Sequence, residues 1–188
     1  MQNKFSSLFS PYMLTRYIAL RNRIVMAPMT TWSANPDGTI SDQELAFYQR
    51  RARDVGLVIT GCTFVTPEGI GFTDEFAAYD DRFINSLEKL ASAAKSGGAT
   101  AILQIFHAGN KALPELIPNG DVVSASMSYV KAGDINSEAI QSRAMTESEI
   151  QTTIRAFGAV TRRAIKAGFD GVELHGAHGF LLQNFFSP

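Results

Sequence analysis

The sequence predicts an α/β fold: a parallel sheet covered by helices, laid out as the first part of a (β/α)8 TIM barrel. Three observations lead there. Short apolar runs alternate with amphipathic stretches, β then α, three times over before a fourth apolar run. Those runs are apolar on both faces, as strands are in a parallel sheet buried under helices. Chemically unusual residues follow each run: Thr30 and Trp32, then Cys62 and Thr63, then His107, then His175 and His178. In a barrel all of these strand ends open on one face, where the active site lies. A doubly wound sheet is the alternative. Its dinucleotide fingerprint of spaced glycines is missing after the first strand, where Ala27-Pro28-Met29-Thr30 stands instead. An eight-stranded barrel takes about 250 residues. This chain has 188 and shows four strands, so residues 1–188 are expected to form the N-terminal part of one truncated barrel domain.

The first element is Arg23 to Ala27 (RIVMA), short, apolar and β-branched. Ser41-Asp-Gln-Glu44 reads as a capping box, in which the Ser41 hydroxyl and the Glu44 carboxylate both serve free backbone amides. The helix it opens carries Leu45, Phe47, Tyr48 and Ala52 and ends near Asp54. Gly56 turns the chain into a second strand, Leu57 to Thr60. Asp80 or Asp81 caps a second helix, with Leu87, Leu90, Ala91 and Ala94 on one apolar stripe. Gly97-Gly98 ends that helix, and Thr100 to Phe106 (TAILQIF) is the third strand. The stretch 109–145, rich in Gly, Pro, Asn and Ser, reads as a long loop. Thr146-Glu-Ser-Glu149 is a second capping box. It opens the longest helix, which runs to about Ala167, before Gly171 to Leu174 gives the fourth strand.

Composition removes several function classes. A formal net charge of -1 gives no basic footprint for nucleic acid and no polybasic patch for a membrane surface. No stretch approaches the ~20 apolar residues of a membrane span, and the first residues lack the apolar core of a signal peptide. The single cysteine, Cys62, excludes an intrachain disulfide framework and a cysteine-based metal cluster. A reducing cytoplasm is the expected location.

His175 and His178 follow the fourth strand and admit three readings. As metal ligands they need further donors, for which His107 and Glu173 are the candidates. As structural residues they cap a turn or fill a wet pocket. As a clamp, two imidazole N–H groups aimed at one oxygen polarise a carbonyl or hold a phenolate. Gln104 is a polar residue within an otherwise apolar strand. Its amide either bonds neighbouring backbone or buried water, or presents a paired donor and acceptor to a planar imide edge. Pro28 and Met29 form either a turn or a backbone shelf for a flat cofactor, with the Thr30 hydroxyl beside it. Cys62 reads as a buried inert thiol, since no base adjoins it in sequence. Trp32, the only tryptophan, either walls a pocket or packs.

Together, Arg23-Ile-Val-Met-Ala-Pro-Met-Thr30, the run Leu57 to Gly69, Gln104-Ile-Phe-His-Ala-Gly109 and the segment Phe169 to Pro188 resemble the old yellow enzyme family of FMN-dependent NAD(P)H oxidoreductases. The resemblance covers nearly the whole chain in the right order. It implies a (β/α)8 barrel with FMN at the C-terminal strand ends and NADH or NADPH as reductant. Activated alkenes, quinones or nitro compounds are the implied small-molecule acceptors. Position by position, it implies that Ala27, Pro28, Met29 and Thr30 lie against the flavin, that Cys62 sits beside it, and that Gln104 pairs with its pyrimidine edge. It further implies that His175 and His178 hold the acceptor's oxygen, with His175 also near the ring, and that Trp32 flanks the substrate. Two departures stand out. Where ene-reducing members carry a proton-donating tyrosine, this chain has Phe180, which has no proton to give. The strands that supply a basic residue near the flavin and the phosphate-binding loops lie beyond these 188 residues. This chain alone is therefore expected to bind FMN weakly or not at all, to expose parallel sheet edges, and to pair with a second half-barrel or with its own copy. A partner-dependent or inactive half-barrel is the first rival to the oxidoreductase reading. A metal-dependent hydrolase using His107, His175 and His178 is the second.

Overall fold

The central strand of the molecule pairs with three of the strands that position the site. A computed structural model describes residues 4–133 and 138–187. Residues 1–3, the middle of the 109–145 stretch and Pro188 lie outside the described residues. In chain order the strands are β1 Tyr12–Met13, β2 Ala19–Leu20, β3 Val25–Met26, β4 Leu57–Ile59, β5 Thr63–Phe64, β6 Phe76–Ala77, β7 Thr100–Phe106, β8 Val123–Ser124, β9 Ser128–Val130, β10 Ile140–Ala144 and β11 Gly171–Leu174. The helices are α1 Asp42–Arg51, α2 Ile84–Lys95, α3 Glu147–Lys166 and α4 Leu181–Phe186.

β7 lies at the middle of a parallel sheet. β4 and then β5 pair along one of its sides, β11 along the other, while β3 flanks β4 and β6 flanks β5. The path β3, β4, β7, β11 follows chain order without a reversal. A doubly wound sheet reverses at its switch point, so this curled sheet is a partial barrel. No helix among the described residues is long and apolar enough to cross a membrane.

α1, α2 and α3 form where the sequence places them, with differences at their ends, and α4 is a fourth helix that the sequence reading did not place. Ser41 caps α1, its Oγ accepting from the Glu44 N–H at 3.2 Å. The Glu44 carboxylate does not turn back to complete the box. It is buried and accepts from the Thr31 hydroxyl instead, so the expected reciprocal bond is replaced by a tie to the segment after β3. α1 ends at Arg51, short of Asp54. Asp80 caps a 3-10 turn that leads into α2. Leu87 and Leu90 of α2 are fully buried, each contributing roughly 1.5–3 kcal/mol over exposure. The capping box on α3 is complete: Thr146 Oγ1 accepts from Glu149 N–H at 3.3 Å, and Glu149 Oε2 accepts from Thr146 N–H at 2.7 Å.

Two parts depart from the sequence expectation. The stretch 109–145 is not simply a loop: β8, β10 and β9 form a small three-stranded sheet in that order. Within β10, Ile140 and Ser142 are buried while Gln141 and Arg143 are exposed, an alternation too short to stand out in the sequence. The second barrel strand, expected over Leu57 to Thr60, ends at Ile59 and, after an interruption, resumes beside β7 as Thr63–Phe64. Ile59 pairs with Ile102 and Thr63 with Ile105, so four steps on one strand face three on the other. That is a β-bulge of one extra residue within Thr60–Cys62.

Candidate active site

The bulge decides which side chains meet. Neighbours paired across a sheet point to the same face, and successive residues alternate. Counted forward from the Ile59–Ile102 pair, Cys62 would stand beside Ile105. After the bulge, the Thr63–Ile105 pair puts Cys62 beside Gln104. On the other side of β7, Glu173 pairs with Gln104. Cys62, Gln104 and Glu173 thus form one polar row across three strands. Glu173 as a carboxylate only accepts, so the Gln104 Nε2 faces it, at 2.7 Å. Gln104 Oε1 accepts from the Cys62 thiol at 3.2 Å. The amide orientation is fixed, and one N–H and one lone pair remain for another molecule. Burial pushes the Cys62 thiol up to about 12, against the opposing hydrogen bond from Thr30. It is therefore a hydrogen-bond donor and not a thiolate nucleophile.

Glycine at 61 permits a close approach. A Cβ there would lie 2.5 Å from the Met29 carbonyl oxygen, so the segment after β3 rests directly on the bulge. The Gly61 N–H donates to the Tyr48 hydroxyl at 2.8 Å, which anchors the bulge to α1.

His175 extends β11. Its backbone N–H donates to Ile105 O at 3.0 Å, and its ring is buried against Phe180, centroids 4.9 Å apart. The Ala177 N–H donates to His175 Nδ1 at 3.3 Å, which leaves the proton of the neutral ring on Nε2. That atom lies 3.3 Å from His178 Nδ1. A donating His175 Nε2–H makes His178 Nδ1 the acceptor, so the neutral His178 ring carries its proton on Nε2. Burial first, and the neighbouring His178 second, lower the His175 pKa from its ordinary value, with Glu173 opposing. His175 is therefore neutral at pH 7. His178 is exposed and adopts a positive φ of 58°.

These groups line a cavity of about 740 Å³. Of the residues singled out from the sequence, the structure brings Pro28, Thr30, Cys62, Gln104, His175, His178 and Phe180 to its wall, and Glu173 with them. Ala27, Met29 and Trp32 are not on that wall. All three are exposed, and Trp32, with φ at 50°, packs its ring edge-on against Phe72. His107 is also elsewhere. It is buried, accepts from the Gly109 N–H through Nδ1 at 3.0 Å, and lines a separate cavity of about 290 Å³. The three histidines do not converge, and among the described residues no three His, Cys, Asp or Glu side chains are placed to hold a metal ion. The His107–His175–His178 set on which the hydrolase alternative rests is therefore not assembled.

Phe72, Lys111, Val130 and Ile140 also line the cavity, and the sequence reading did not single them out. Lys111 stands seven residues after Gln104, in a glycine-rich loop where a lysine looks like ordinary solvated surface. Val130 and Ile140 arrive through the small sheet that the loop reading passed over.

The flavin implied by the resemblance can be tested against this wall. Gln104 retains one donor and one acceptor for a planar imide edge, Thr30 adds a hydroxyl, and the apolar wall suits an aromatic ring. Lys111 is the one cation among the described lining residues, with no cluster of basic groups for a phosphate. The residues fit the ring and not the phosphate tail.

Comparisons with known proteins identify the family and the fold. The model of the NADH:flavin oxidoreductase / NADH oxidase family matches residues 7–188. The chain is 45% identical to the probable NADH-dependent flavin oxidoreductase YqiG of Bacillus subtilis, over 100% of this chain and 49% of that protein. It is 39% identical to an NADPH dehydrogenase of Geobacillus thermodenitrificans, over 96% of this chain and 51% of that one. The crystal structure of TcOYE with pHBA superposes with a TM-score of 0.89 at 34% identity, covering 97% of this chain and 54% of that one. The chain spans about half the length of these proteins.

Proposed function

The chain belongs to the NADH:flavin oxidoreductase / NADH oxidase family, and from that premise we propose that it supplies the ring-binding and acceptor-binding half of an FMN-dependent NAD(P)H oxidoreductase. The observation that carries the proposal is the shared wall: the fixed Gln104 amide and the His175–His178 pair face one cavity of about 740 Å³. FMN, when bound, would supply hydride taken from NADH or NADPH.

The chain's own residues would do the rest. Gln104 would hold the ring's imide edge, kept in orientation by Glu173 and Cys62. Pro28 and Thr30 would support the ring. An acceptor's oxygen would replace the contact between the two imidazoles, taking the His175 Nε2–H and an N–H of His178. Two neutral donors in a half-buried site polarise a carbonyl or quinone oxygen as charge develops there. Phe180, buried against His175, offers no proton. Acceptors that take their protons on oxygen, such as quinones, are therefore favoured over activated alkenes, which need one on carbon. The small-molecule acceptor is the partner proposed, and the single buried thiol suits a cytoplasmic setting.

A second reading rests on the sheet edges. No strand among the described residues pairs with the outer side of β3 or of β11, and Val25 and Leu174 on them are exposed. Such edges invite pairing, so the 188 residues would work together with a complementary half-barrel.

The test compares riboflavin with FMN, following flavin fluorescence as the chain is titrated in. A site that recognises the ring and not the phosphate binds the two within about threefold of each other, since no charge-assisted contact separates them. Gln104→Ala weakens both. Absence of riboflavin binding at millimolar concentration would sink the proposal, and a tight FMN complex would refute the missing phosphate anchor.

A further inference from the structure

Lys111 is the group in this cavity that the proposed reaction leaves without a task. It ends a 3-10 turn, Gly109–Lys111, just after β7. Its Nζ donates to the His178 carbonyl oxygen at 2.6 Å and lies 5.9 Å from the centre of the Phe180 ring. The ammonium therefore shares the end of the cavity that holds the two histidines. Gly179 makes room for it: with φ at 73°, a Cβ there would meet Lys111 Cε at 2.9 Å and Nζ at 3.0 Å. An ammonium carries three donors, and the His178 carbonyl takes one. Among the described residues no carboxylate comes within 4.0 Å of it. Glu173, in the same wall, is engaged by Gln104. A half-buried cation beside an aromatic wall with no counter-charge is one that gains from an anion arriving with the ligand.

We propose that Lys111 is a specificity residue that selects an anionic reacting molecule, one that carries a carboxylate at the histidine end of the cavity. The inference rests on the acceptor-binding reading of His175 and His178. Those two rings supply neutral donors that orient an oxygen without discriminating its charge. Lys111 supplies the charge, and its tether to the His178 carbonyl keeps the ammonium in register with the clamp.

Cinnamate and cinnamamide share a skeleton and differ in charge, so they separate the two contributions. With FMN in excess, calorimetry on the wild-type chain should give cinnamate about tenfold tighter binding than cinnamamide, the scale of one hydrogen bond to a charged group. Lys111→Gln keeps a donor for the His178 carbonyl and removes the charge. It should abolish the preference while leaving cinnamamide within about twofold of wild type, a change worth less than one hydrogen bond. Lys111→Arg keeps the charge and should keep the preference. A preference that survives Lys111→Gln, or a wild type that binds the amide more tightly, overturns the inference and leaves the clamp standing. If His175→Ala changes neither affinity, or neither compound binds wild type, the clamp reading falls and the inference with it.

Discussion

His107→Asn should flatten the acid limb of the stability profile. His107 is buried, and burial lowers its pKa to about 4 from an ordinary 6.5. Above pH 7 the ring is neutral in the folded and unfolded chains alike, and its contribution is complete. As the pH falls below 6.5, the unfolded chain takes up a proton that the folded chain refuses until about 4. Stability is therefore lost on acidification through that window. At about 1.36 kcal/mol per pH unit, the loss accumulated by pH 4.5 is about 2.5 kcal/mol. Asparagine removes the titration yet offers an oxygen to the Gly109 N–H, which now donates to Nδ1 at 3.0 Å. The buried carboxyls of Glu44 and Glu75, both raised by desolvation, act in the opposite direction. They are common to both proteins and cancel in the difference. Urea unfolding followed by far-UV circular dichroism between pH 7.5 and 4.5 gives that difference directly. Wild-type stability minus variant stability should drop by about 2–3 kcal/mol across the range. A difference that stays constant would mean His107 is not held neutral by the fold, and the reasoning from burial would fail.

Two further outcomes follow from the same geometry. Tyr48→Phe removes the acceptor of the buried Gly61 N–H and should cost about 1–3 kcal/mol. For a chain of this size that lowers the melting midpoint by roughly 2–4 °C per kcal/mol; a melting curve that superposes on wild type would show that the amide has another partner. Phe180→Tyr puts a hydroxyl on the ring packed against His175. With FMN supplied, it should raise the rate of activated-alkene reduction relative to quinone reduction by at least about tenfold, below the usual span of general-acid contributions. An unchanged ratio of the two rates would show that proton supply to carbon does not limit the site.

What the sequence made legible has a physical pattern. β7 and β11 match the expected Thr100–Phe106 and Gly171–Leu174 runs, because each is a short, mostly apolar run that follows a helix-ending glycine, Gly98 before β7 and Gly168 before β11. α3 is legible because Thr146 and Glu149 sit at the one spacing that lets each cap the other. The Ser41 box has the same spacing, and Glu44 nonetheless turns to Thr31, a tertiary partner that local sequence does not announce. The strands of the small sheet are two to five residues long, too short for a period to show. His107 looked like a candidate ligand because it ends a strand as a site residue would. Its ring is instead enclosed against Gly69, where a Cβ would lie 2.9 Å from Cδ2.

The polar row at the heart of the site shows why a residue list and a site are different objects. Cys62 and Gln104 were each singled out as candidates, yet alternation alone keeps them apart: an unbroken second strand sets Cys62 beside Ile105, on the face opposite Gln104. The one-residue bulge reverses that parity. Its existence depends on features well separated in sequence. Gly61 lets the Met29 carbonyl come close enough to occupy the space of a side chain. Tyr48, from α1, satisfies the amide that the bulge takes out of the ladder. The Thr60 hydroxyl makes a long 3.4 Å contact with the Gln104 N–H that the interrupted strand no longer serves. The chain therefore spends one irregularity in its second strand to align a thiol, an amide and a carboxylate across three strands. That alignment leaves the Gln104 amide a single orientation, and with it a defined donor and acceptor to present to the ring of a flavin.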